Sequence, residues 1–434
     1  MAEKVSIFWF RRDLRLHDNT ALYKALISSL PVVPIFIFDK NILDDLQDKD
    51  DRRVNYIYNS LKQIQNKLLE QGSTLDIRYG KPEKIFEQLL NDYEVSAVFT
   101  NHDYEPYAIE RDQKIESILK HNKVDFHSYK DQVIFERDEV CKADKFPYLV
   151  FTPYSRVWLQ KLSEDNLKFQ PSEKYLHQFL KQDPLPVPSL ESMGFKKNND
   201  YPALQKPSDN LLSAYHKTRN FPGIEGTSKI SVHLRFGTIS IRNLVKKATK
   251  LNEVYVKELI WREFYMQLLW HFPRLQHQSF KVEYEKIQWR NNEEEFIKWC
   301  NGETGYAIVD AGMRELNDTG FIHNRVRMVV ASFLVKHLLI DWRWGEAYFA
   351  RKLLDFELAS NNGNWQWAAG CGCDAAPYFR IFNPYIQATK FDKDLVYINK
   401  WVPELNELTY TPIVDHKVAV ERCLLAYKTA LNRN

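Results

Sequence analysis

The stretch Val5–Phe10 (VSIFWF) decides the fold class, because an almost uninterrupted apolar run is typical of a strand buried on both faces of a sheet. Similar runs follow at Val32–Asp39 (VVPIFIFD), Thr74–Tyr79 and Ala97–Thr100. Amphipathic helical patterns separate them at Asn19–Leu30 and Arg52–Gln71. Strands that alternate with helices form parallel sheets. The sequence therefore predicts an α/β domain with a doubly wound parallel sheet that ends near Lys130.

Beyond Lys130 the pattern changes twice. Residues 131–205 are rich in proline, which predicts a long connector with short helices. From about Ser208 onward the apolar period is 3.6, with strong helices predicted at Asn252–Trp270 and Asn324–Asp341. We expect an α/β domain over 1–130, a connector over 131–205 and an all-helical domain over 206–434.

The composition narrows the class of protein. The chain has 434 residues, of which 26 are Phe, 23 Tyr and 11 Trp. So many rings favour large cores, stacking surfaces or electron relays. The five cysteines are scattered and predict no disulfide framework, which fits a reducing cytosol. The N-terminus lacks a signal-peptide pattern, and no apolar run is long enough to span a membrane, so we expect a cytoplasmic protein.

The segment Thr227-Ser-Lys-Ile-Ser231 combines hydroxyls and a lysine just before a predicted helix. Hydroxyls and free backbone N–H groups at a helix start suit a phosphate or pyrophosphate. A plain Ser/Thr turn that caps a helix explains the same residues. The segment by itself favours the capping turn.

One face of the predicted helix 252–270 carries Glu258, Trp261, Arg262 and Tyr265, which are spaced three and four residues apart. An acid, an indole and a cation on one face could flank a planar ligand. The alternative is an amphipathic helix with a Glu258–Arg262 ion pair, and this pattern alone favours it.

The segment from Asp355 to Trp367 crowds polar groups and two tryptophans together. Its Asn361-Asn-Gly sequence is not expected to continue a helix. A core does not need that mixture of residues, so a ligand site is the better interpretation.

The segment from His323 to Met328 places Arg325 and Arg327 near the start of a helix. Cations there are unfavourable for the helix dipole unless an anion meets them. Phosphates, a flavin or a buried carboxylate would supply the anion, and a solvated basic face is the alternative. No zinc spacing, Ser-His-Asp set, Walker loop or Gly-x-Gly-x-x-Gly pattern occurs, which favours chemistry carried by a cofactor.

These motifs together resemble the photolyase/cryptochrome family along almost the whole chain. The resemblance is carried by FWFRRDLRLHDN from Phe8, TGYAIVDAGMR from Thr304, HNRVRM from His323, LIDWR from Leu339 and NNGNWQW from Asn361. Within the family, Asn324, Met328 and the Trp-Gln-Trp sequence are most similar to class I cyclobutane pyrimidine dimer (deoxyribodipyrimidine) photolyases. The resemblance implies light-driven repair of such dimers in DNA by electron transfer from reduced FAD, a carbon–carbon lyase reaction.

The resemblance also implies the residues that bind FAD. The phosphates would be held by Tyr215, Thr227, Ser228, Lys229, Ile230 and Ser231. The sugar and ring region would be lined by Asp355, Phe356 and Glu357, with Arg327 paired to Asp355 and Asn361 facing the flavin ring. Family members often have Asp where this chain has Glu357. The tryptophans Trp365, Trp342 and Trp289 match the family's electron-transfer chain, although any single Trp is most often core.

The damaged bases would enter a pocket of the helical domain after leaving the duplex. Trp261 and Trp367 would stack on the dimer, Glu258 would hydrogen-bond it, and Met328 would line the pocket. Arg262 and Tyr265 share that helix face. DNA contacts would come from Arg219, Asn324, Arg325 and Gln387, with Arg380 a weaker candidate. We expect a monomer that binds the lesion in single- or double-stranded DNA and contacts no membrane.

Two features depart from the family pattern. The N-terminal domain would hold an antenna chromophore, but Tyr107 and Ala108 stand where folate-binding relatives carry Asn and Glu. A deazaflavin, a second flavin or an empty site stay open. The Cys371-Gly-Cys373 sequence replaces the usual small Ser/Thr residues, and sequence reasoning offers no role for it.

Two other functions compete with repair. A cryptochrome, a blue-light photoreceptor without repair activity, would share the fold and flavin. Such proteins often carry a long C-terminal extension and often change the pocket residues Trp261, Met328 and Trp367, so the sequence favours repair. A non-catalytic DNA-binding flavoprotein is the third possibility.

Overall fold

The computed structural model describes residues 3–198 and 205–432. Part of the predicted connector, residues 199–204, and the last two residues of the predicted helical domain, 433–434, lie outside the described residues. The strands are β1 (Lys4–Phe10), β2 (Val32–Asp39), β3 (Asp76–Gly80), β4 (Glu94–Asn101) and β5 (Asp125–Tyr129).

The first eight helices are α1 (Thr20–Leu26), α2 (Lys40–Leu43), α3 (Arg52–Leu69), α4 (Pro82–Asp92), α5 (Pro106–His121), α6 (Phe151–Lys161), α7 (Asp209–Thr218) and α8 (Ser231–Phe236). The later helices are α9 (Ile241–Leu251), α10 (Glu253–His271), α11 (Glu293–Asn301), α12 (Ala307–Thr319), α13 (Asn324–Ser332), α14 (Trp342–Lys352), α15 (Leu358–Ala369), α16 (Pro384–Phe391), α17 (Val396–Trp401) and α18 (His416–Ala430). Short 3₁₀ turns occur between them.

The five strands form one sheet in the order β3-β2-β1-β4-β5, and all its neighbouring pairs are parallel. β1 and β2 are buried almost throughout, as their apolar runs predict. This confirms the doubly wound α/β class. The sequence analysis missed β5, since its DFHSY sequence mixes polar and apolar residues on a partly exposed edge strand.

The chain divides into two compact units. The first comprises Met1–Glu139, Trp158–Leu204 and Ile230–Lys250, and the second Val140–Val157, Gln205–Lys229 and Leu251–Asn434. The predicted boundaries at 130 and 205 stay predictions. The first unit contains the sheet, and the regular elements of the second are helices throughout its described residues.

The helix predicted over Asn324–Asp341 is shorter than expected. α13 passes into a π-helical turn at Phe333–His337, and Leu339 adopts a left-handed φ of 52°. Asp341 then caps α14, because its carboxylate accepts from the backbone N–H of Arg343 at 3.0 Å. All five residues of the π turn are buried, including the polar Lys336 and His337.

The prediction that Asn361-Asn-Gly interrupts a helix is wrong. α15 runs through all three residues. A Cβ on Gly363 would lie 2.2 Å from a ring carbon of Tyr265, so the glycine lets the two helices approach closely. The Oδ1 atom of Asn362 accepts from Nε2 of Gln366 at 2.9 Å one turn later, while the buried Nδ2 of Asn362 has no hydrogen-bond partner among the described residues.

No helix within the described ranges combines the length and the apolar character that crossing a membrane requires.

Candidate functional site

The face of α10 predicted to contact a ligand belongs to the helical unit. Asn252 caps the helix by accepting from the N–H groups of Val254 and Tyr255. Trp261 is half-buried, and the ring of Phe151 is parallel to its indole, with centroids 3.7 Å apart and an interplanar angle of 4°. Tyr265 is buried and lies against Gly363. Of the four predicted residues, Trp261 is therefore a rigid aromatic platform and Tyr265 a packing residue.

Glu258 pairs with Arg219, not with Arg262. Oε1 of Glu258 accepts from Nη1 of Arg219 at 2.6 Å. The proposed Glu258–Arg262 alternative is wrong, because α7 presents a cation to the acid from outside its own helix. Burial raises the pKa of Glu258, and Arg219 offsets part of that rise. The carboxyl group is thus more easily protonated than an ordinary surface glutamate.

Arg262 faces the start of α15. Its guanidinium lies 3.6 Å from the carboxylate of Glu357, and both side chains are largely buried. The pair brings a predicted lesion residue and a predicted FAD residue together. Phe356, the next predicted FAD residue, is partly buried and packs on the helical core.

Asp355 and Arg327 form the pair that the resemblance implied. Nη2 of Arg327 donates to Oδ2 of Asp355 at 2.8 Å, so a buried carboxylate offsets this cation near the start of α13. Arg327 is therefore paired with a buried carboxylate, and the alternative that it lies on a solvated basic face is wrong. Oδ1 of Asp355 is buried and has no hydrogen-bond partner among the described residues. A buried acceptor without a donor fits a ligand that carries hydroxyl groups, as the ribityl and ribose parts of FAD do.

Asn361 is held by a residue that sequence analysis missed. Its Nδ2 donates to the side chain of Glu346 at 2.8 Å and to the Glu346 backbone carbonyl at 3.1 Å. Burial raises the pKa of Glu346, and Asn361 opposes the rise. No sequence signal links the two residues, because they lie on different helices, α14 and α15.

The predicted phosphate segment Thr227–Ser231 contains the point in the chain at which one unit ends and the other begins. Thr227, Ser228 and Lys229 belong to the helical unit. Tyr255 donates to Ser228 at 2.9 Å and packs edge-on against Tyr215, with centroids 4.9 Å apart. Lys229 has a left-handed φ of 49° and an exposed ammonium that pairs with Glu225. Ile230 and Ser231 belong to the first unit, where Ser231 begins α8.

The start of α13 carries further predicted DNA contacts. His323 caps the helix through Nδ1, and burial lowers its pKa to about 4. Arg325 donates to Asn220 at 2.7 Å and lies over the ring of Phe391 at 4.4 Å. Asn324 is exposed, and Met328, half-buried, lies 3.7 Å from the Arg325 guanidinium. Asn324 and Met328 are therefore accessible to a ligand at the start of α13.

The tryptophans predicted to transfer electrons lie in the helical core. Trp365 and Trp342 are each 2% exposed, and Trp289 packs against the same core cluster. Trp367, two residues after Trp365, is half-buried. Gly345 of α14 admits the Trp365 ring, because a Cβ there would lie 2.2 Å from it.

Two predicted DNA residues follow α15. Arg380 is exposed, and the Oε1 atom of Gln387 on α16 is buried without a hydrogen-bond partner. An amide oxygen in that state fits a polar ligand. The structure thus places both residues in the helical unit with the other lesion candidates.

Comparison with known proteins decides between these chemical possibilities. A family model described as the FAD binding domain of DNA photolyase matches residues 255–422, and one described as DNA photolyase matches residues 6–174. A deoxyribodipyrimidine photo-lyase of Synechococcus sp. is 36% identical, over 95% of this chain and 90% of its own length. The chain belongs to the DNA photolyase family. It is thus an enzyme of light-driven DNA repair with FAD as its cofactor.

Solved photolyase structures have the same fold. A bacterial class III photolyase from Agrobacterium tumefaciens matches with a TM-score of 0.87 and 32% identity, over 100% of this chain and 98% of that one. An archaeal photolyase from Sulfolobus tokodaii, described with two FAD molecules, matches with a TM-score of 0.83 and 36% identity, over 98% and 99%.

Proposed function

We propose that this photolyase-family chain splits cyclobutane pyrimidine dimers in DNA and that the face of α10 receives the dimer. The observation that carries the proposal is the half-buried Trp261 platform one turn from Glu258, whose pKa is raised. When bound and reduced, FAD supplies the electron that light transfers to the dimer and that returns after the ring has opened. The residues of the chain bind and orient FAD and the dimer, and they stabilise the charge that the dimer receives.

The dimer would stack on Trp261 and Trp367. Stacking on an aromatic ring contributes about 1–3 kcal/mol per base and does not depend on base sequence. Glu258 in its protonated form would donate a hydrogen bond to a damaged pyrimidine and so stabilise the charge of the dimer anion. Met328, Arg262 and Tyr265 would complete the pocket.

FAD would be held by the residues that the resemblance implied. Asp355, fixed by Arg327, offers a free carboxylate oxygen to a hydroxyl donor. Asn361, fixed by Glu346, would face the flavin ring. Tyr215, Ser228 and the neighbouring residues Thr227–Ser231 would hold the phosphates, and Phe356 and Glu357 would line the ring region.

DNA phosphates would be bound by Asn324, Arg325, Arg380 and Gln387, and by Arg219 beside Glu258. Contacts to phosphate give affinity without sequence preference, which suits an enzyme that repairs lesions anywhere. We further propose a cytoplasmic monomer that accepts single- or double-stranded DNA. The five free thiols fit a reducing compartment.

A second chromophore would bind the α/β unit. Tyr107 donates to Asp39 at 2.5 Å, and Asp39 ends β2 at the carboxyl edge of the sheet. Ligands of doubly wound sheets bind at that edge. A second FAD, a deazaflavin and an empty site are distinguished by chromatography of the heat-released chromophores.

The decisive experiment illuminates reduced protein with an oligonucleotide that contains one thymine dimer. We expect thymine to be restored only in the light. Trp261→Ala should weaken dark binding of the dimer-containing oligonucleotide and leave binding of undamaged DNA unchanged. Light-driven FAD reduction without thymine recovery would instead support a cryptochrome.

A second experiment separates electron supply from repair, with Trp365, Trp342 and Trp289 as the proposed supply chain. Trp365→Phe should block light-driven reduction of oxidised FAD, while repair persists after chemical reduction with dithionite. Trp367→Phe is the matched variant two residues away. It should weaken lesion binding and leave light-driven reduction intact. If FAD in Trp365→Phe is reduced by light at the wild-type rate, the proposed electron-transfer chain of tryptophans is wrong.

A further inference from the structure

The ring of Phe151 covers one face of the Trp261 indole. The two rings are 4° from parallel at 3.7 Å, and the edge of Phe264 packs against both, at 5.9 Å from Phe151 and 5.5 Å from Trp261. Phe151 is buried, whereas Trp261 is half-buried. The indole is therefore held flat on one side while part of it stays accessible.

The backbone before and at Phe151 is fixed by the turn that follows α15. The carboxylate of Asp374 accepts from the N–H of Phe151 at 3.0 Å, at the first residue of α6. The thiol of Cys373 donates to the carbonyl of Leu149 at 2.8 Å. Asp374 itself adopts a left-handed φ of 50°, so the turn is tightly defined. The Cys371-Gly-Cys373 sequence, which had no role at the sequence level, thus contributes a contact to this region.

We propose that Phe151 is a positioning residue of the lesion pocket, which holds Trp261 flat for the incoming dimer, and that the Cys373–Asp374 turn holds Phe151 in place. The inference rests on the proposed function, in which Trp261 stacks on the dimer. A side chain that is already immobilised loses less conformational entropy when a ligand binds. Phe151 would therefore strengthen lesion binding without touching the lesion.

The test measures dark binding of an oligonucleotide with one thymine dimer and of the same oligonucleotide undamaged. Phe151→Ala should weaken binding of the dimer about threefold to tenfold, the range of an aromatic pair, and leave undamaged DNA unaffected. In a Trp261→Ala background, the same substitution should have no further effect, because Phe151 acts through Trp261. Phe151→Tyr should restore binding.

Matched variants separate positioning from general packing. Phe146→Ala removes another ring from the same segment, one that is exposed and lies 6.3 Å from Phe272, and it should bind both DNAs as the wild type does. Asp374→Ala and Cys373→Ala should weaken dimer binding less than Phe151→Ala, and Cys373→Ser, which keeps a donor, should behave as wild type. FAD content and thermal unfolding are measured for every variant. If Phe151→Ala fails to fold, Asp374→Ala alone and in the Trp261→Ala background provides the same cycle.

Two results would overturn the inference and leave the proposed function standing. One is unchanged dimer binding in Phe151→Ala while Trp261→Ala loses it. The other is an equal loss from Phe151→Ala in the wild-type and Trp261→Ala backgrounds. A wild-type protein that does not prefer the dimer, or a Trp261→Ala variant that keeps the preference, contradicts the proposed function and removes the inference with it.

Discussion

Two buried aspartates of the α/β unit are more completely hydrogen-bonded than two acids of the predicted ligand site in the helical unit. In the first unit, the Asp131 carboxylate is fully buried and accepts from Arg15 at 2.5 Å, from Arg242 at 2.9 Å and from Thr20 at 3.0 Å. Asp18, equally buried, accepts from Arg242 and Ser240. Both oxygens of each carboxylate have donors.

In the helical unit, the two acids predicted to contact a ligand keep free hydrogen-bonding capacity, whereas both oxygens of the buried Asp310 have donors. Asp355 is paired through one oxygen with Arg327, and its other oxygen has no partner. Glu258 is bound by Arg219 through one oxygen only, and its pKa is raised. Burial of charge therefore does not mark a ligand site by itself. At Asp355 an unmet acceptor lies beside a paired one, and such an acceptor costs stability unless a ligand satisfies it.

The largest effect is expected for Asp131→Ala, which tests whether the fully paired aspartates of the α/β unit stabilise the fold. The substitution removes the anion that the buried Arg15 and Arg242 share, and among the described residues only Arg242 keeps another carboxylate, that of Asp18. We therefore expect a loss of about 3–5 kcal/mol in the free energy of unfolding. Burial alone would raise the pKa of Asp131, but Arg15 and Arg242 lower it to about 2. The measurement is urea denaturation at neutral pH, with the exposed Asp45→Ala as control. A loss below about 1 kcal/mol would show that the paired cluster is not structural.

Lys336 sharpens the comparison, because its buried ammonium donates to the carbonyls of Ala369 and Tyr378 rather than to a carboxylate. Burial lowers its pKa to about 8. An unfolded lysine titrates near 10.4, so the unfolded chain binds more protons between these pH values. Lys336 should therefore contribute on the order of 3 kcal/mol to the free energy of unfolding as the pH rises through that window.

Lys336→Met isolates this effect, since it removes the titrating amine and keeps an unbranched chain. The thiols of Cys371 and Cys423 also face Lys336, and burial raises their pKa to about 12 and about 11. In the unfolded chain these thiols ionise at about pH 8.5, so they lower the free energy of unfolding within the window, and this contribution is common to both proteins. Denaturation curves of the two proteins at pH 7 and pH 10 should diverge. Parallel curves would mean that Lys336 keeps an ordinary pKa.

Asp355→Asn tests the Asp355–Arg327 pair, in which one carboxylate oxygen has no donor among the described residues. It removes the charge that faces Arg327 and weakens the acceptor offered to FAD. We expect FAD to bind about tenfold to a hundredfold more weakly, as for the loss of a hydrogen bond to a charged group. Equilibrium dialysis measures the affinity, and the exposed Asp394→Asn is the control. A wild-type affinity of Asp355→Asn for FAD would show that the free oxygen of Asp355 does not contribute to FAD binding.

The smallest effect is expected for Glu258→Gln. Loss of the acidic proton should lower the repair yield per absorbed photon about twofold to tenfold, the range of one hydrogen bond. Because the pKa of Glu258 is raised, the proton is present at low pH, and the yield should fall as pH rises through that pKa. Glu258→Gln should remove this pH dependence, while Glu253→Gln, exposed on the same helix, should keep it.

The fold class was accessible from the sequence where the relevant pattern is local. The apolar run of β2 coincides with its predicted bounds, and Asn19 and Asn252 cap the helices that they were predicted to begin. A buried strand or an amphipathic helix needs only its own residues to generate its period. The edge strand β5 escaped prediction because its sequence lacks such a period.

Sequence by itself determined the α/β and helical parts, the family motifs and the residue types of the site. Only the tertiary structure decided which groups meet: Arg219 rather than Arg262 beside Glu258, Glu346 beside Asn361, and Phe151 against Trp261. Tertiary structure also decided that α15 continues through Asn361-Asn362-Gly363. The physical reason is that an ion pair or a ring stack depends on which helices approach each other, and that approach is fixed by packing between segments far apart in the chain.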